Sequence, residues 1–264
     1  MKHLDKKSIK ALLLDVDGTL LTSDGRGMQS STIEALAACR ERGVRLFLAT
    51  GRQPNELTNC LGGFEFDAQV LLNGQLCVDR SGVFFDNPVP HWEVSAMVKQ
   101  VSEKGYACQF VTRDGSFVNI VNENVLRVCV DLAIDVPPVE DISRAPDMRI
   151  YQFNPYVPAD MDHLPMSVLK NCVLKRWHPL FSDIYPANGG KMRGIAALME
   201  KTGIDISQCV AFGDSANDVD MLKAAGFSVA MGNANSECRD AADYVTASND
   251  DDGIAKALYG LGMI

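Results

Sequence analysis

Two apolar segments far apart in the chain each stop at an aspartate. Residues 9–14, Ile-Lys-Ala-Leu-Leu-Leu, end at Asp15, and residues 209–213, Cys-Val-Ala-Phe-Gly, end at Asp214. Short runs of this kind without polar alternation suit strands buried on both faces, which occur in parallel sheets covered by helices. Two further runs fit the same scheme. Val44–Thr50 (VRLFLAT) leads into Gly51-Arg52, and 68–74 (AQVLLNG) follows at crossover spacing. Ser31 and Glu34 have the spacing of a capping box, so an amphipathic helix is expected from there to about Gly43. Strand, helix and strand in this rhythm predict right-handed crossover units, with ligands bound outside the carboxyl ends of the strands.

After about residue 83 the rhythm changes. A helix is expected over 93–104, ending at Gly105, then short strands at 106–111 and 117–122 around the polar turn Arg-Asp-Gly-Ser. A helix near 123–132, a Pro-rich connection at 137–146, a strand near 148–153, a helix near 159–168 and strands near 172–177 and 181–185 complete an α+β pattern with an antiparallel sheet. The α/β rhythm then returns, with a helix at 191–201 and strands at 209–213, 227–232 and 243–247. The expected organisation is a discontinuous core of residues 1–82 and 186–264 carrying an inserted cap of residues 83–185.

Bulk properties narrow the partners. The formal charge is -9 and the pI about 4.9, which weighs against a nucleic-acid backbone as partner, since that needs clustered Lys or Arg. No apolar run is long enough to cross a bilayer. The start, MKHLDKKSIK, lacks the apolar stretch of a signal peptide, so a cytoplasmic location is expected. The eight cysteines form no CxxC pair and read as small buried thiols. His3, His91, His163 and His178 have no metal-ligand spacing. Trp92 and Trp177 read as packing residues.

Four segments carry chemistry. In Asp15-Val16-Asp17-Gly18-Thr19, residues two apart on extended backbone point the same way. Both carboxylates can therefore reach one site, Asp15 to attack phosphorus and Asp17 to handle the proton on the ester oxygen. In Ala49-Thr50-Gly51-Arg52, Thr50 offers a hydroxyl and Gly51 exposes backbone N–H groups to a phosphoryl oxygen. Lys191, between a glycine-rich loop and a helix, would neutralise phosphate charge. Gly213-Asp214-Ser215-Ala216-Asn217-Asp218 ends a strand and enters a helix, and Asp214 beside Asp15 makes a hard oxygen-rich site suited to Mg²⁺.

These segments resemble the haloacid-dehalogenase superfamily phosphatases of the Cof type, over nearly all the chain and most clearly at 9–52 and 184–255. DVDGTLL at 15–21, ATGR at 49–52, Lys191, GDSANDVDML at 213–222 and the closing stretch 231–254 carry the likeness. The resemblance implies a Rossmann-like core with an α+β cap. It also implies Asp15 as nucleophile and Asp17 as general acid/base. Thr50, Gly51, Lys191 and Asn217 would bind the phosphate. A Mg²⁺ ion would be held by Asp15, the Asp17 backbone carbonyl and Asp214, with Asp218 behind it. Around Lys191 the chain departs from the family's Gly-Val-Ser-Lys-Gly, having Asn188-Gly189-Gly190-Lys191-Met192-Arg193-Gly194. The expected activity is Mg²⁺-dependent hydrolysis of a small phosphate monoester, first of all a sugar phosphate, with no nucleic-acid or membrane partner. A phosphotransferase or phosphomutase on the same aspartyl phosphate, and a phosphate-receiving signalling or binding module, are the alternatives.

Overall fold

The computed structural model describes residues 8–132 and 134–264. Along the chain, β1 (Ala11–Leu14) leads to α1 (Ser30–Glu41), β2 (Arg45–Ala49), α2 (Pro54–Cys60) and β3 (Ala68–Leu71). Next come β4 (Leu76–Asp79), β5 (Gly82–Asp86), α3 (His91–Lys104), β6 (Cys108–Val111), β7 (Ser116–Val118) and α4 (Glu123–Leu132). The elements β8 (Gln152–Pro155), α5 (His163–Met166), β9 (Cys172–His178) and β10 (Phe181–Pro186) follow. The chain ends with α6 (Lys191–Thr202), β11 (Cys209–Gly213), α7 (Val219–Ala224), β12 (Phe227–Ala230), α8 (Ser236–Ala241), β13 (Tyr244–Val245) and α9 (Gly253–Gly260). These elements form two compact units, Met1–Phe85 with Lys191–Ile264, and Asp86–Gly190.

The first unit is built on an eight-stranded sheet of order β13-β12-β11-β1-β2-β3-β4-β5. The strands from β13 to β3 run parallel, and β4 turns back antiparallel to β3. Leu13, Phe47 and Ala211 face a core shared with Ile195 and Leu198 of α6 and Met221 and Leu222 of α7. Leu12, Leu14, Leu46 and Leu48, of the opposite parity, have no exposed surface either, and on the other side of the unit α1 packs on α9. Burial on both faces is why these strands read as unbroken apolar runs. Leu14 sits beside both Phe212 and Leu48 in register, so the residues that follow these three leave the sheet at one edge.

Several elements differ from the sequence reading. Helix α1 begins two residues earlier than a cap at Ser31 implies, with Gln29 as its N-cap and no side-chain cap bond. The capping box is absent because the Ser31 hydroxyl is spent on the Asp252 carboxylate instead. The third apolar run is strand only to Leu71. Leu72, Asn73 and Gly74 then adopt positive φ of 53°, 52° and 83°, which reverses the chain into β4. The hairpin of β4 and β5, and helices α2, α8 and α9, went unread in the sequence. Trp92 and Trp177 are 58% and 55% exposed, and Trp177 packs edge-on against Phe181. The thiols read correctly: all eight cysteines are free and seven are buried.

The second unit is α+β. Its antiparallel sheet has the order β7-β6-β8-β10-β9. Phe110, Phe153 and Ile184 pack on Val94, Met97 and Val101 of α3. Glu93, 2% exposed, ties α3 to the chain entering β9. Its Oε1 accepts from Lys170 N at 2.7 Å, Asn171 N at 2.8 Å and Asn171 Nδ2 at 3.0 Å. Charge-assisted bonds of this kind contribute more than neutral ones, and their loss leaves buried N–H groups unpaired. Glu93→Ala is expected to destabilise this unit by about 3 kcal/mol, and Glu93→Gln, which keeps an acceptor, by clearly less. Denaturant midpoints check this; an alanine variant as stable as wild type would contradict it.

Candidate active site

The site is assembled at the carboxyl edge of the first unit's sheet. Asp15 continues β1 in extended conformation (φ -72°, ψ 164°), and its N–H donates to Phe212 O at 3.1 Å. Its side chain is thus delivered beside the end of β11. Asp17 is still extended (φ -76°, ψ 126°), and Gly18 at φ 72° reverses the chain. A side chain at Gly18 would be strained and would overlap the Asp214 carboxylate. The turn is held by Asn233 Nδ2, donating to Gly18 O at 2.8 Å, and by Asn249 Nδ2, donating to Leu21 O at 2.7 Å.

Thr50, fully buried, ends β2 with its N–H on Val70 O at 2.8 Å. Its hydroxyl oxygen accepts from Arg52 N at 3.1 Å, leaving the hydroxyl proton to donate elsewhere. The Arg52 guanidinium forks onto Asp17, with Nε 2.9 Å from Oδ2 and Nη2 2.7 Å from Oδ1. Lys191, the first residue of α6, is buried, and its Nζ lies 2.8 Å from Asp15 Oδ1 and 2.5 Å from Asp218 Oδ1. The other Asp218 oxygen accepts from Asp214 N at 3.1 Å and Ser215 N at 3.2 Å. Asp218 is therefore fully committed, and serves to fix both the lysine and the Asp214 loop. Thr19 Oγ1 donates to Asp214 Oδ1 at 3.1 Å.

Asp15, Asp214 and Asp218 offer carboxylate oxygens within 4.8 Å of one another. One ammonium faces three carboxylates, and burial together with the surplus negative charge raises two of them, Asp15 and Asp214. Burial pushes the Asp15 carboxyl well above its ordinary range, the nearby Asp218 carboxylate adds to the rise, and Lys191 offsets only part of the total. Burial, then Asp218, raises Asp214 to about 6. At Lys191 burial works against the charge, but Asp15 and Asp218 outweigh it and the net shift is upward. Hard oxygen donors with excess negative charge fit a hard divalent cation, which would relieve the repulsion among them. Among the described residues no protein donor reaches the second oxygen of Asp15, so it is free for a cation or an electrophile.

Of the residues singled out from the sequence, Asp15, Lys191, Asp214 and Asp218 meet directly. The Asp17 side chain is turned to Arg52 instead of joining the three-carboxylate cluster. Thr50, Gly51 and Asn217 are linked through Asn73. Its N–H donates to Thr50 O at 3.0 Å, and its Oδ1 accepts from Asn217 Nδ2 at 3.3 Å. Arg52, Thr19 and Asn73 were given no task by the sequence. The first two lie inside motifs already recognised, and the third was hinted at by an Asn-Gly pair closing an apolar run.

The profile of the haloacid dehalogenase-like hydrolases matches residues 12–258. The "Putative phosphatase YkrA" of Bacillus subtilis is 31% identical over 256 residues, covering 97% of this chain and 98% of the relative. Among solved structures, the subclass IIB sugar phosphatase BT4131 superposes with TM-score 0.82 at 35% identity, over 97% of this chain and all of that one. BT1666 from Bacteroides thetaiotaomicron superposes with TM-score 0.87 at 33% identity, over 100% and 99%. Profile, relatives and architecture agree: the chain belongs to the haloacid dehalogenase-like hydrolases, as a Cof-type phosphatase that hydrolyses phosphoric monoesters.

Proposed function

We propose that this phosphatase works through an aspartyl phosphate on Asp15, with Mg²⁺ as cofactor. The observation that supports this most is the state of Asp15: buried, one oxygen fixed by Lys191 at 2.8 Å, the other without a protein donor among the described residues. That is the geometry of an oriented nucleophile.

In the first step the free Asp15 oxygen attacks phosphorus in line, the bond from phosphorus to the ester oxygen breaks, and Asp17 gives its proton to the leaving alkoxide. In the second step Asp17 takes a proton from water, the water oxygen bonds to phosphorus, and the phosphorus–Asp15 bond breaks to release phosphate. The Thr50 hydroxyl, the Gly51 N–H, Lys191 and the Asn217 amide hold phosphoryl oxygens throughout. Arg52 keeps the Asp17 carboxylate from swinging away between the two steps. Asp15, the Asp17 carbonyl and Asp214 would hold Mg²⁺, with Asp218 fixing the loop behind them. When bound, the ion supplies charge neutralisation for the approach of an anionic carboxylate to an anionic ester.

The substrate class we favour is a small phosphorylated metabolite of the cytoplasm, a sugar phosphate before others. The support is the likeness to a sugar phosphatase. We assign the choice of leaving group to the inserted residues 83–185, which would act as the cap.

The test is a single turnover of a phosphorylated sugar with Mg²⁺, quenched in acid, with the peptide containing Asp15 weighed. The expected peptide carries the mass of one phosphoryl group early in the reaction and loses it as free phosphate rises. Release of phosphate with no such transient on Asp15, and undiminished turnover in chelator, would end this reading.

A further inference from the structure

We infer that Asn73 is a further phosphoryl-binding residue, its side-chain Nδ2 donating to an oxygen of the transferred group. The inference rests on the reading above only in placing the phosphoryl group against Thr50, Gly51 and Asn217.

Backbone conformation is the first support. Leu72 and Asn73 both sit at positive φ, followed by Gly74. A left-handed conformation costs a non-glycine residue roughly 1–2 kcal/mol, and asparagine tolerates it better than most residues. Such strain persists only where the surroundings over-determine it. Here Leu72 N donates to Arg52 O at 3.1 Å, and Asn73 N donates to Thr50 O at 3.0 Å. On the far side, a side chain at Gly194 would come within 2.8 Å of the Gly74 Cα, so α6 packs directly on the turn. The three residues are thus clamped between the Thr50 loop and the helix that begins with Lys191.

The orientation of the side chain is the second support. Ser215 Oγ lies 2.6 Å from Asn217 Oδ1 and donates to it. With that bond in place the Asn217 amide presents its Nδ2 to Asn73 Oδ1, 3.3 Å away. Asn73 accepts that bond through Oδ1, which leaves its Nδ2 over. Among the described residues no protein acceptor takes that nitrogen, although Asn73 is half-buried. The amide lies along Gly51, where any Cβ would come within 3.2 Å of both Nδ2 and Oδ1. A donor without an acceptor, held by strained backbone beside a phosphate-binding loop, is arranged for an anionic oxygen that arrives with the substrate.

The test separates the amide from the turn. Asn73→Gly keeps the left-handed backbone and removes the donor; Asn73→Asp keeps the shape and replaces N–H by a carboxylate oxygen. Three readouts apply to each in Mg²⁺: kcat/KM on a phosphate ester, the Kd for inorganic phosphate by calorimetry, and the unfolding midpoint. The glycine variant is expected to lose about 10²-fold in kcat/KM and to bind phosphate more weakly, with an unchanged midpoint. The aspartate variant should lose more on both counts. A glycine variant with wild-type kcat/KM and wild-type phosphate affinity would reduce Asn73 to a turn residue and overturn the inference. If that variant unfolds early, an aspartate variant as active as wild type does the same. A wild-type protein that binds phosphate yet forms no phosphoryl-Asp15 refutes the mechanism proposed above, while the phosphate affinities still decide Asn73.

Discussion

Asp15→Asn is expected to fold, to bind phosphate with Mg²⁺, and to turn over at least about 10⁴-fold more slowly than wild type, on the scale seen when a nucleophile is removed. The new side chain has the same shape, and its Oδ1 can still accept from Lys191, so the loss isolates the chemistry of the attacking oxygen. A second signature concerns pH in the absence of metal. The carboxyl is raised in the folded state, mainly by burial, so folding is penalised once the group must ionise. Wild-type stability should therefore decline as pH rises from the ordinary carboxyl range toward the raised value, and the asparagine variant should lack that component. Turnover within tenfold of wild type would rule Asp15 out as the nucleophile.

Removing the ammonium acts on stability and rate together. Lys191→Ala leaves Asp15, 4% exposed, and Asp218, fully buried, without the cation that lies 2.8 and 2.5 Å from them. Breaking a buried pair from one side costs about 3–5 kcal/mol, since the remaining buried charges lose their counter-charge. The rate should fall by about 10³-fold, the upper end for one preorganised transition-state donor. The destabilisation should shrink as pH falls, because the stranded carboxyls then take up protons. It should shrink on adding Mg²⁺ too, because a divalent cation supplies the missing positive charge. Melting curves at several pH values, with and without Mg²⁺, distinguish this from a cavity, which neither condition would fill. A variant of wild-type stability at neutral pH would show that Lys191 does not balance these charges.

How much of this was legible depended on where the determining contacts lie. β1, β2 and β11 were readable because burial on both faces leaves an unbroken apolar run in the chain itself. β4 and β5 were not, since an antiparallel edge hairpin alternates weakly: β5 has no fully buried residue. Helix α1 was placed correctly but capped incorrectly, because Ser31 finds its partner at Asp252, a pairing no local spacing encodes. In the site, residue types at strand ends marked Asp15, Asp17, Thr50 and Asp214, and a lysine between a glycine-rich loop and a helix marked Lys191. The fork from Arg52 to Asp17 and the relay from Ser215 through Asn217 to Asn73 are tertiary, made by side chains whose own segments predict nothing about one another. Asn73 also depends on a backbone conformation that its sequence permits without requiring.

The position of β1 between β11 and β2 bears on how the protein is made. The strand that presents Asp15 is synthesised well before one of its two neighbours, β11, with the whole Asp86–Gly190 unit between them in sequence. Until that late segment leaves the ribosome, β1 has a bare backbone edge, and Asp15 lacks Asp214. The intervening Asp86–Gly190 unit makes its contacts within one continuous stretch and can fold while the rest waits. Nascent chains ending before residue 209 should accordingly expose a sticky apolar strand and engage chaperones, and closure of the large sheet, with its high sequence separation, should limit the folding rate.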